Sequence, residues 1–520
     1  MRVPVSQSLD DVIEDLPRRY PGPGGAVCVV KDGVAVVRHA WGFADLERRI
    51  PYTPATLAPI CSITKQFTCA TLLSVAPDPS ILDGVIAASL PRLEGERPST
   101  LDLANNQSGL RDYWALTVLA GAMPEGVFTL ADANALVRLT SSLHFRPGTA
   151  YSYSNGNFRM LAAAIAERSG RDFGELLIDR IAGPAAMNTA VFQADTGAVP
   201  GGAMGYEGTM ATGWRPGVNR IHWCGDAGLH ASLDDMIAWE QFIDRTRDDP
   251  DGVYGRLSAP VTYRDGSPAS YGLGLSRKTV WGRAMTRHGG AIRGWRLQRL
   301  HVASERLSVA VAFNHESDSK GAAMRVLASA LGEAEPTTTP VPGSTSFFEG
   351  HWLDQDTGLL LEVVRESSGA LRTVYGGVAD SLAIGHDGVA RGSDMALAPD
   401  GTMLAITRAA DAIRSRAARL SGPAATDVAG TYHSPELEAD MEVVDAGGSW
   451  FAGFSGPLGD GPLMPLTPAA GDVWRLACHR SLDAPAPGEW TVQVRRDPGG
   501  AVRSLSVGCL LARTVVFERR

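Results

Sequence analysis

Three short constellations in this chain have residue types and spacings that could do chemistry together. In "CSITKQF" (61–67), Ser62 stands one helical turn before Lys65. That spacing puts a serine nucleophile and an amine proton acceptor on one helix face. A serine in the first turn also sits at the positive end of the helix dipole, which favours a developing alkoxide. In "FRPGTAYSYSNGNF" (145–158), Tyr153-Ser154-Asn155 follows a Pro-Gly turn and precedes a helix-like run, which places it on a loop. A tyrosine beside a lysine ammonium can hold a lowered pKa and share proton transfer with it, and Asn155 can hydrogen-bond an amide substrate. In "TRHGGAIRGWRLQRLHV" (286–302), His288-Gly289-Gly290 begins a strand-like run. Glycines there permit close backbone approach, so a substrate can pair with the strand edge while the Ala291 and Ser62 N–H groups form an oxyanion hole.

Spacing alone does not separate chemistry from chance. Ser317 and Lys320 in "HESDSK" repeat the serine–lysine spacing in a polar context expected of a solvated loop or helix start. His386-Asp387-Gly388 repeats the histidine–glycine pattern and reads as a hairpin turn. What favours Ser62 is its setting: the apolar approach "TLAPIC" runs directly into a helical pattern. Lys65 is also one of only four lysines, with Lys31, Lys278 and Lys320.

The surrounding elements must hold these pieces. "GAVCVVKDGVAVVRHAWG" reads as a hairpin around Lys31-Asp32-Gly33, residues 62–75 and 158–170 as helices, the latter ended by Gly170, and 306–315 as a buried strand. The mixture predicts a large α/β or α+β domain over 1–331. "GEAEPTTTPVPGST" (332–345) reads as a linker. Beyond it, short alternating runs between Gly, Pro, Asp and Ser turns predict antiparallel sheets or barrels. A repeat spaced by 80 residues aligns Gly350 with Gly430, Trp352 with Tyr432, Glu362 with Glu442, and Val363-Val364 with Val443-Val444. Two related β modules follow, 346–419 and 420–520. Trp352 and Tyr432 are expected in the cores, a carbohydrate platform being the alternative.

Composition narrows the class. With 520 residues, 44% hydrophobic and 20% charged, the chain reads as globular; a net charge of −9 without a basic cluster argues against nucleic acid. The first 20 residues lack the apolar core of a secretory signal, and no apolar run approaches the roughly 20 residues that span a bilayer. A cytoplasmic protein without membrane contact is the expectation. Six scattered cysteines show no metal-ligand spacing and predict neither a disulfide nor a metal site.

Taken in order, Ser62-x-x-Lys65, Tyr153-x-Asn155 and His288-Gly289-Gly290 resemble the penicillin-recognising serine hydrolases, the class C beta-lactamase-like family. The resemblance covers most of residues 20–330 through "GFADLERRIPYTPATLAPICSITKQFT", "NQSGLRDY", "FRPGTAYSYSNGNFRMLAAAIAERSGRDFGELL", "GDAGLHASLDDMIAWEQF" and "YGLGL". It implies a multidomain α+β protein whose catalytic domain has an antiparallel sheet with helices plus an all-helical lobe, followed by two barrel-like domains. It also implies an acyl-enzyme on Ser62, with Lys65 and Tyr153 sharing the base role, and no cofactor.

Two departures narrow the substrate. The usual Lys-Thr-Gly third motif is His288-Gly289-Gly290 here; Lys278-Thr279-Val280 is a near miss without the glycine. Affinity for a C-terminal carboxylate is therefore expected to be lost. With the β modules and no export signal, the resemblance is greatest to members that release an N-terminal D-residue, chiefly D-alanine, from peptides, amides and esters. Such a site needs a nearby carboxylate or several acceptors for the substrate's ammonium. The long Ala-Pro loop around Asp483 in "WRLACHRSLDAPAPGEWTVQVRR" is the candidate, with an exposed surface loop as its plain alternative. The other readings are a cytoplasmic esterase, DD-peptidase or weak beta-lactamase of the same family, and a non-catalytic penicillin-fold binding protein. The expected partner is a small peptide or amino-acid amide; a homodimer is compatible with a large enzyme of this kind.

Overall fold

The computed structural model describes residues 8–334, 346–478, 480–481, 484–485 and 489–520, with the backbone alone for 480–481 and 484–485. The N-terminal domain is built on an eight-stranded antiparallel sheet. Its long strands are β1 (Gly24–Lys31), β2 (Val34–Asp45), β3 (Leu275–Val280), β4 (Arg283–Ile292), β5 (Trp295–Val302) and β6 (Leu307–Phe313). Their spatial order is β2-β1-β6-β5-β4-β3, edged by Ile50–Pro51 beside β2 and Tyr271–Gly272 beside β3. The expected hairpin joins β1 and β2, with Asp32 (φ 52°) and Gly33 (φ 77°) supplying its left-handed turn.

Strand periodicity explains why both faces of the sheet are covered. Ala26, Cys28 and Val30 of β1 point into one core, while Val27 and Val29 point into the other. On the Val27 side pack α1 (Leu9–Arg19) and α6 (Ser319–Leu331). The opposite face carries α2 (Thr64–Val75), α4 (Asn155–Ser169) and α5 (Leu233–Arg245), joined by the shorter α3 (Tyr113–Leu119). Gly170, at φ 67°, ends α4 as a left-handed cap. All six cysteines are buried, and none forms a disulfide among the described residues.

Strands Gly350–Asp354 through Ile413–Arg419 close an eight-stranded antiparallel barrel. Residues 430–519 close a second, through pairing of Ala439–Asp445 with Trp450–Gly456 and of Gly430–Ser434 with Ala512–Arg519. The 80-residue repeat is a register: Gly350 pairs with Val363 as Gly430 pairs with Val443. Trp352 donates to Phe348 O and Tyr432 to Val428 O, each bond 2.8 Å and four residues back. Both rings are fully buried, so they are core residues rather than platforms. His386-Asp387-Gly388 is the expected hairpin turn, with Gly388 at φ 75°. Most of the segment read as a linker, and Asp483, lie outside the described residues.

Candidate active site

Ser62 occupies a 3₁₀ turn, Cys61–Ile63, that leads directly into α2. The preceding Cys61 is buried and held at φ 51°, a left-handed conformation unusual for a residue with a side chain. Lys65, one turn later, is fully buried. Its Nζ lies 3.0 Å from Ser62 Oγ, 2.9 Å from Asn155 Oδ1 and 2.6 Å from the Asp226 carbonyl. Desolvation pulls its pKa down to about 8, against the opposing pull of Asp226 and Asp112. A neutral lysine has two N–H bonds and one lone pair. With both N–H groups engaged by Asn155 and Asp226, the lone pair faces the Ser62 hydroxyl.

Tyr153 sits over this amine, its ring centroid 5.0 Å from Lys65 Nζ, and its hydroxyl bonds Ser62. The lowered tyrosine pKa expected from the neighbouring lysine is not found. Burial dominates and raises it, with Asp112 and Asp226 adding to the rise. Tyr153 therefore stays a protonated phenol at neutral pH rather than a phenolate, and Lys65 is the group whose proton affinity suits a base.

Two buried carboxylates behind the lysine went unassigned in the sequence. Asp112 accepts from the Asn155 backbone N at 3.0 Å and from Asn155 Nδ2 at 2.9 Å. Desolvation raises its pKa to about 7. Asp226 accepts from the Cys224 and Ala227 backbone N–H groups at 2.9 and 3.1 Å and from the Tyr113 hydroxyl, while burial raises its pKa. Both lie in segments recognised by sequence, "NQSGLRDY" and "GDAGLH". A second-line carboxylate, however, has no spacing rule tying it to the group it supports. Asn155 thus has a further duty beside the substrate contact: it bridges Lys65 and Asp112.

The opposite wall is β4. His288-Gly289-Gly290 lies mid-strand rather than at a strand start, because pairing with β3 covers Arg283–Arg287 and ends there. From His288 onward β4 pairs, among the described residues, only with β5, so its other edge carries no strand pairing there. Gly290 is where the strand meets the nucleophile's turn: a Cβ there would lie 2.5 Å from Ile60 O. Gly274, in "YGLGL", similarly lets the chain lie on α2, since its Cβ would come within 2.5 Å of the Lys65 carbonyl carbon. His288 Nε2 is 3.1 Å from the Tyr271 hydroxyl and Nδ1 2.7 Å from Gly289 O. Burial, with the neighbouring Lys65, drops its pKa to about 3, so it is neutral and orients rather than titrates.

Ser62, Tyr153, Asn155 and His288 through Ala291 line one cavity of about 670 Å³, completed by Trp114 and Trp223. Val378 of the first barrel and Leu510-Leu511 of the second close part of it. Ser317 and Lys320, at the start of α6, stand on its rim, but Ser317 bonds His315 and the Pro21 carbonyl, not Lys320. The backbones of Arg480–Ser481 and Ala484–Pro485 pair with each other and come beside α3 and β4, with Cα atoms within 8 Å. Among the described residues, no group of His, Cys, Asp and Glu is arranged to hold a metal ion.

Comparisons with known proteins agree with this architecture. The beta-lactamase family matches residues 9–334, and the family described as D-aminopeptidase, domain B, matches 343–518. The D-aminopeptidases of Brucella melitensis biotype 2 and of Brucella anthropi are each 48% identical over 512 residues, covering 98% of both chains. Among solved structures, the octameric penicillin-binding protein homologue from Pyrococcus abyssi superposes with a TM-score of 0.54 at 20% identity, covering 86% of this chain and 98% of that one. The protein SurE does so with a TM-score of 0.54 at 22% identity, covering 79% and 99%. These two likenesses show the fold.

Proposed function

The chain belongs to the beta-lactamase-like serine hydrolases and, within them, to the D-aminopeptidase family, and from that premise we propose that it releases N-terminal D-residues, chiefly D-alanine, from peptides, amides and esters. The observation that carries the chemistry is the Lys65 amine: buried, depressed to about 8 and 3.0 Å from Ser62 Oγ. In acylation, Ser62 Oγ attacks the substrate carbonyl carbon and its proton passes to Lys65 Nζ. The oxyanion is received by the Ser62 and Ala291 N–H groups at the cavity wall. Collapse breaks the C–N bond as the proton returns to the leaving nitrogen, through the protonated Lys65 or the Tyr153 hydroxyl. Water, deprotonated by the same lysine, then hydrolyses the acyl-enzyme and restores Ser62. His288, neutral near the edge of β4 that carries no strand pairing among the described residues, leaves the backbone of residues 289–291 to align the substrate strand.

Selectivity for a free α-ammonium calls for a carboxylate at the acyl end of the cleft. Asp483 is the proposed acceptor; what supports it is the approach of the flanking strands to α3 and β4. Deleting 480–487 is expected to admit N-acylated substrates, and Asp483→Asn to lower kcat/KM on the free amine by roughly 10- to 100-fold, the value of one charged contact.

The deciding assay is nitroaniline release from D-alanine, L-alanine and N-acetyl-D-alanine p-nitroanilides, with Ser62→Ala as the blank. Ser62-dependent cleavage of the free D-amine alone is expected. Equal cleavage of the acetylated compound would replace this reading with a broader amidase or esterase.

A further inference from the structure

The second barrel does more than border the cleft. Helix α3 carries Asp112 as its N-cap, Tyr113 against Asp226, and Trp114 on the cavity wall. Ala115, Leu116, Val118 and Leu119 of the same helix are buried in the core of the second barrel, among residues such as Tyr432 and Phe517. The catalytic domain has therefore lent one of its own site-building helices to another domain's core.

The junction is fixed by polar bonds as well. The Asp112 backbone N donates to Leu511 O at 2.9 Å, in the tight turn joining Val502–Cys509 to Ala512–Arg519. The neighbouring Arg111, 9% exposed, donates through Nε to Arg513 O at 2.8 Å and through Nη1 to Glu436 at 3.1 Å. Glu436 also accepts from the Ser141 N–H at 3.2 Å and the Ser142 hydroxyl at 3.2 Å. An ion pair between a buried arginine and a partly buried carboxylate, with several hydrogen bonds to each partner, is rigid and costly to break.

We propose that the 509–514 turn of the second barrel, clamped by Arg111 and Glu436, is a positioning element for catalysis: it fixes the Asp112 main chain and, through Asp112 and Asn155, holds Lys65 against Ser62. The chain of contacts is continuous. Leu511 O holds Asp112 N, the Asp112 carboxylate holds both nitrogens of Asn155, and Asn155 Oδ1 holds Lys65 Nζ at 2.9 Å. The side chains of Asp112, Asn155 and Lys65 are each at least nine-tenths buried, so a shift of the Asp112 main chain passes to the lysine with little solvent to absorb it. Loosening also admits water, and desolvation is the main cause of the depressed Lys65 pKa. The clamp thus governs both where the amine sits and how readily it accepts a proton. Arg111 and Glu436 are positioning residues, since neither touches the cleft.

The test uses the full chain with Glu436→Gln, which keeps the shape of the clamp but not its charge, and Arg111→Met, which removes it. Acylation of Ser62 by p-nitrophenyl acetate is followed against pH, with Ser62→Ala as the blank. Displacing a reacting group by a fraction of an ångström costs on the order of 10- to 100-fold, so a loss of about that size is expected in the acylation rate, with a change in KM of under about threefold. The midpoint of the rate's pH profile should rise above that of the wild type. Wild-type rate and midpoint in a folded Glu436→Gln protein overturn the proposal, as does a loss confined to thermal stability or to KM. Should Arg111→Met fail to fold, Glu436→Gln decides. Hydrogen exchange over residues 60–66 and 108–116 reads the same displacement without turnover: faster exchange in Glu436→Gln supports the clamp, and unchanged protection overturns it. That readout holds whichever substrate the enzyme takes, so failure of the D-aminopeptidase reading and failure of the clamp are separate results.

Discussion

The side-chain oxygen of Asn155 lies 2.9 Å from Lys65 Nζ, while its amide nitrogen lies 2.9 Å from Asp112 Oδ2. Asn155 is therefore the only side chain bonded to both the lysine and the carboxylate behind it among the described residues. Asn155→Ala removes both bonds and leaves Asp112 without its side-chain donor. A buried acceptor left unsatisfied costs about 1–3 kcal/mol, which thermal or denaturant unfolding should register. The kcat of the variant should fall by roughly 10²- to 10³-fold, the scale found when one preorganised polar group is removed from a site. Wild-type kcat in a destabilised Asn155→Ala would restrict the residue to folding.

The pH dependence follows from Lys65. Its pKa is depressed from 10.5 to about 8 by burial, and only the neutral amine accepts the Ser62 proton. The kcat/KM of the free enzyme should rise with pH through about 8 as Lys65 loses its proton. His288, at about 3, contributes no step near neutrality. Lys65→Arg keeps a charged donor but is never neutral in water; it should lose 10²- to 10⁴-fold, the span ascribed to general-base catalysis, with no rising limb left. A limb near 8 that persists in Lys65→Arg would assign the titration to another group.

That Ser62, Lys65, Tyr153, Asn155 and the glycine pair gather at one cleft was legible because each stands in a motif of distinctive residue type and short spacing. The repeat register was legible for the same reason: matched positions 80 residues apart fill matched places in two barrels. What failed was anything set by three-dimensional environment. Charge proximity alone argued for an acidic Tyr153, but burial, which the sequence around it does not display, outweighs the lysine. Asp112 and Asp226 carry no local signal, since a buried carboxylate is defined by what covers it. "YWALTVL" announces an apolar helix face without saying that its cover is a barrel whose residue Arg513 lies 402 positions beyond Arg111.

Asp112 gives a stability prediction of definite sign. Desolvation raises its pKa from 3.8 to about 7, so the folded state holds a proton that the unfolded chain releases. That contribution is full below about pH 4 and is lost as pH rises to about 7. Asp112→Asn cannot release the proton, and its amide can still accept from Asn155 through one oxygen. Between pH 4 and 7 the wild type should lose stability relative to Asp112→Asn in denaturant titrations. Parallel curves for the two proteins over that range would show that Asp112 is ionised in the fold throughout.

The two glycines of β4 separate steric need from mere presence in a motif. At Gly290 a Cβ would stand 2.5 Å from Ile60 O and 3.1 Å from the Cys61 Cβ, against the backbone that starts the nucleophile's turn. Ile60 O is already committed to the Ile63 N–H at 3.1 Å, so that turn cannot retreat without opening. Gly290→Ala must therefore push β4 and Ser62 apart, which widens the gap between Ser62 and the Ala291 N–H. At Gly289 the nearest atom would be Gln298 Oε1, 3.1 Å away at the far end of a flexible side chain, and the position is exposed. Neither glycine has a positive φ, so the contrast is one of space alone. Gly290→Ala should lower kcat/KM by about 10²-fold or more, the cost of a displacement near 1 Å. Gly289→Ala should keep activity within about fivefold and stability within about 1 kcal/mol, as an exposed substitution usually does. Equal losses in the two variants would mean that the strand's flexibility, and not its contact with the Ser62 turn, is what the glycines supply.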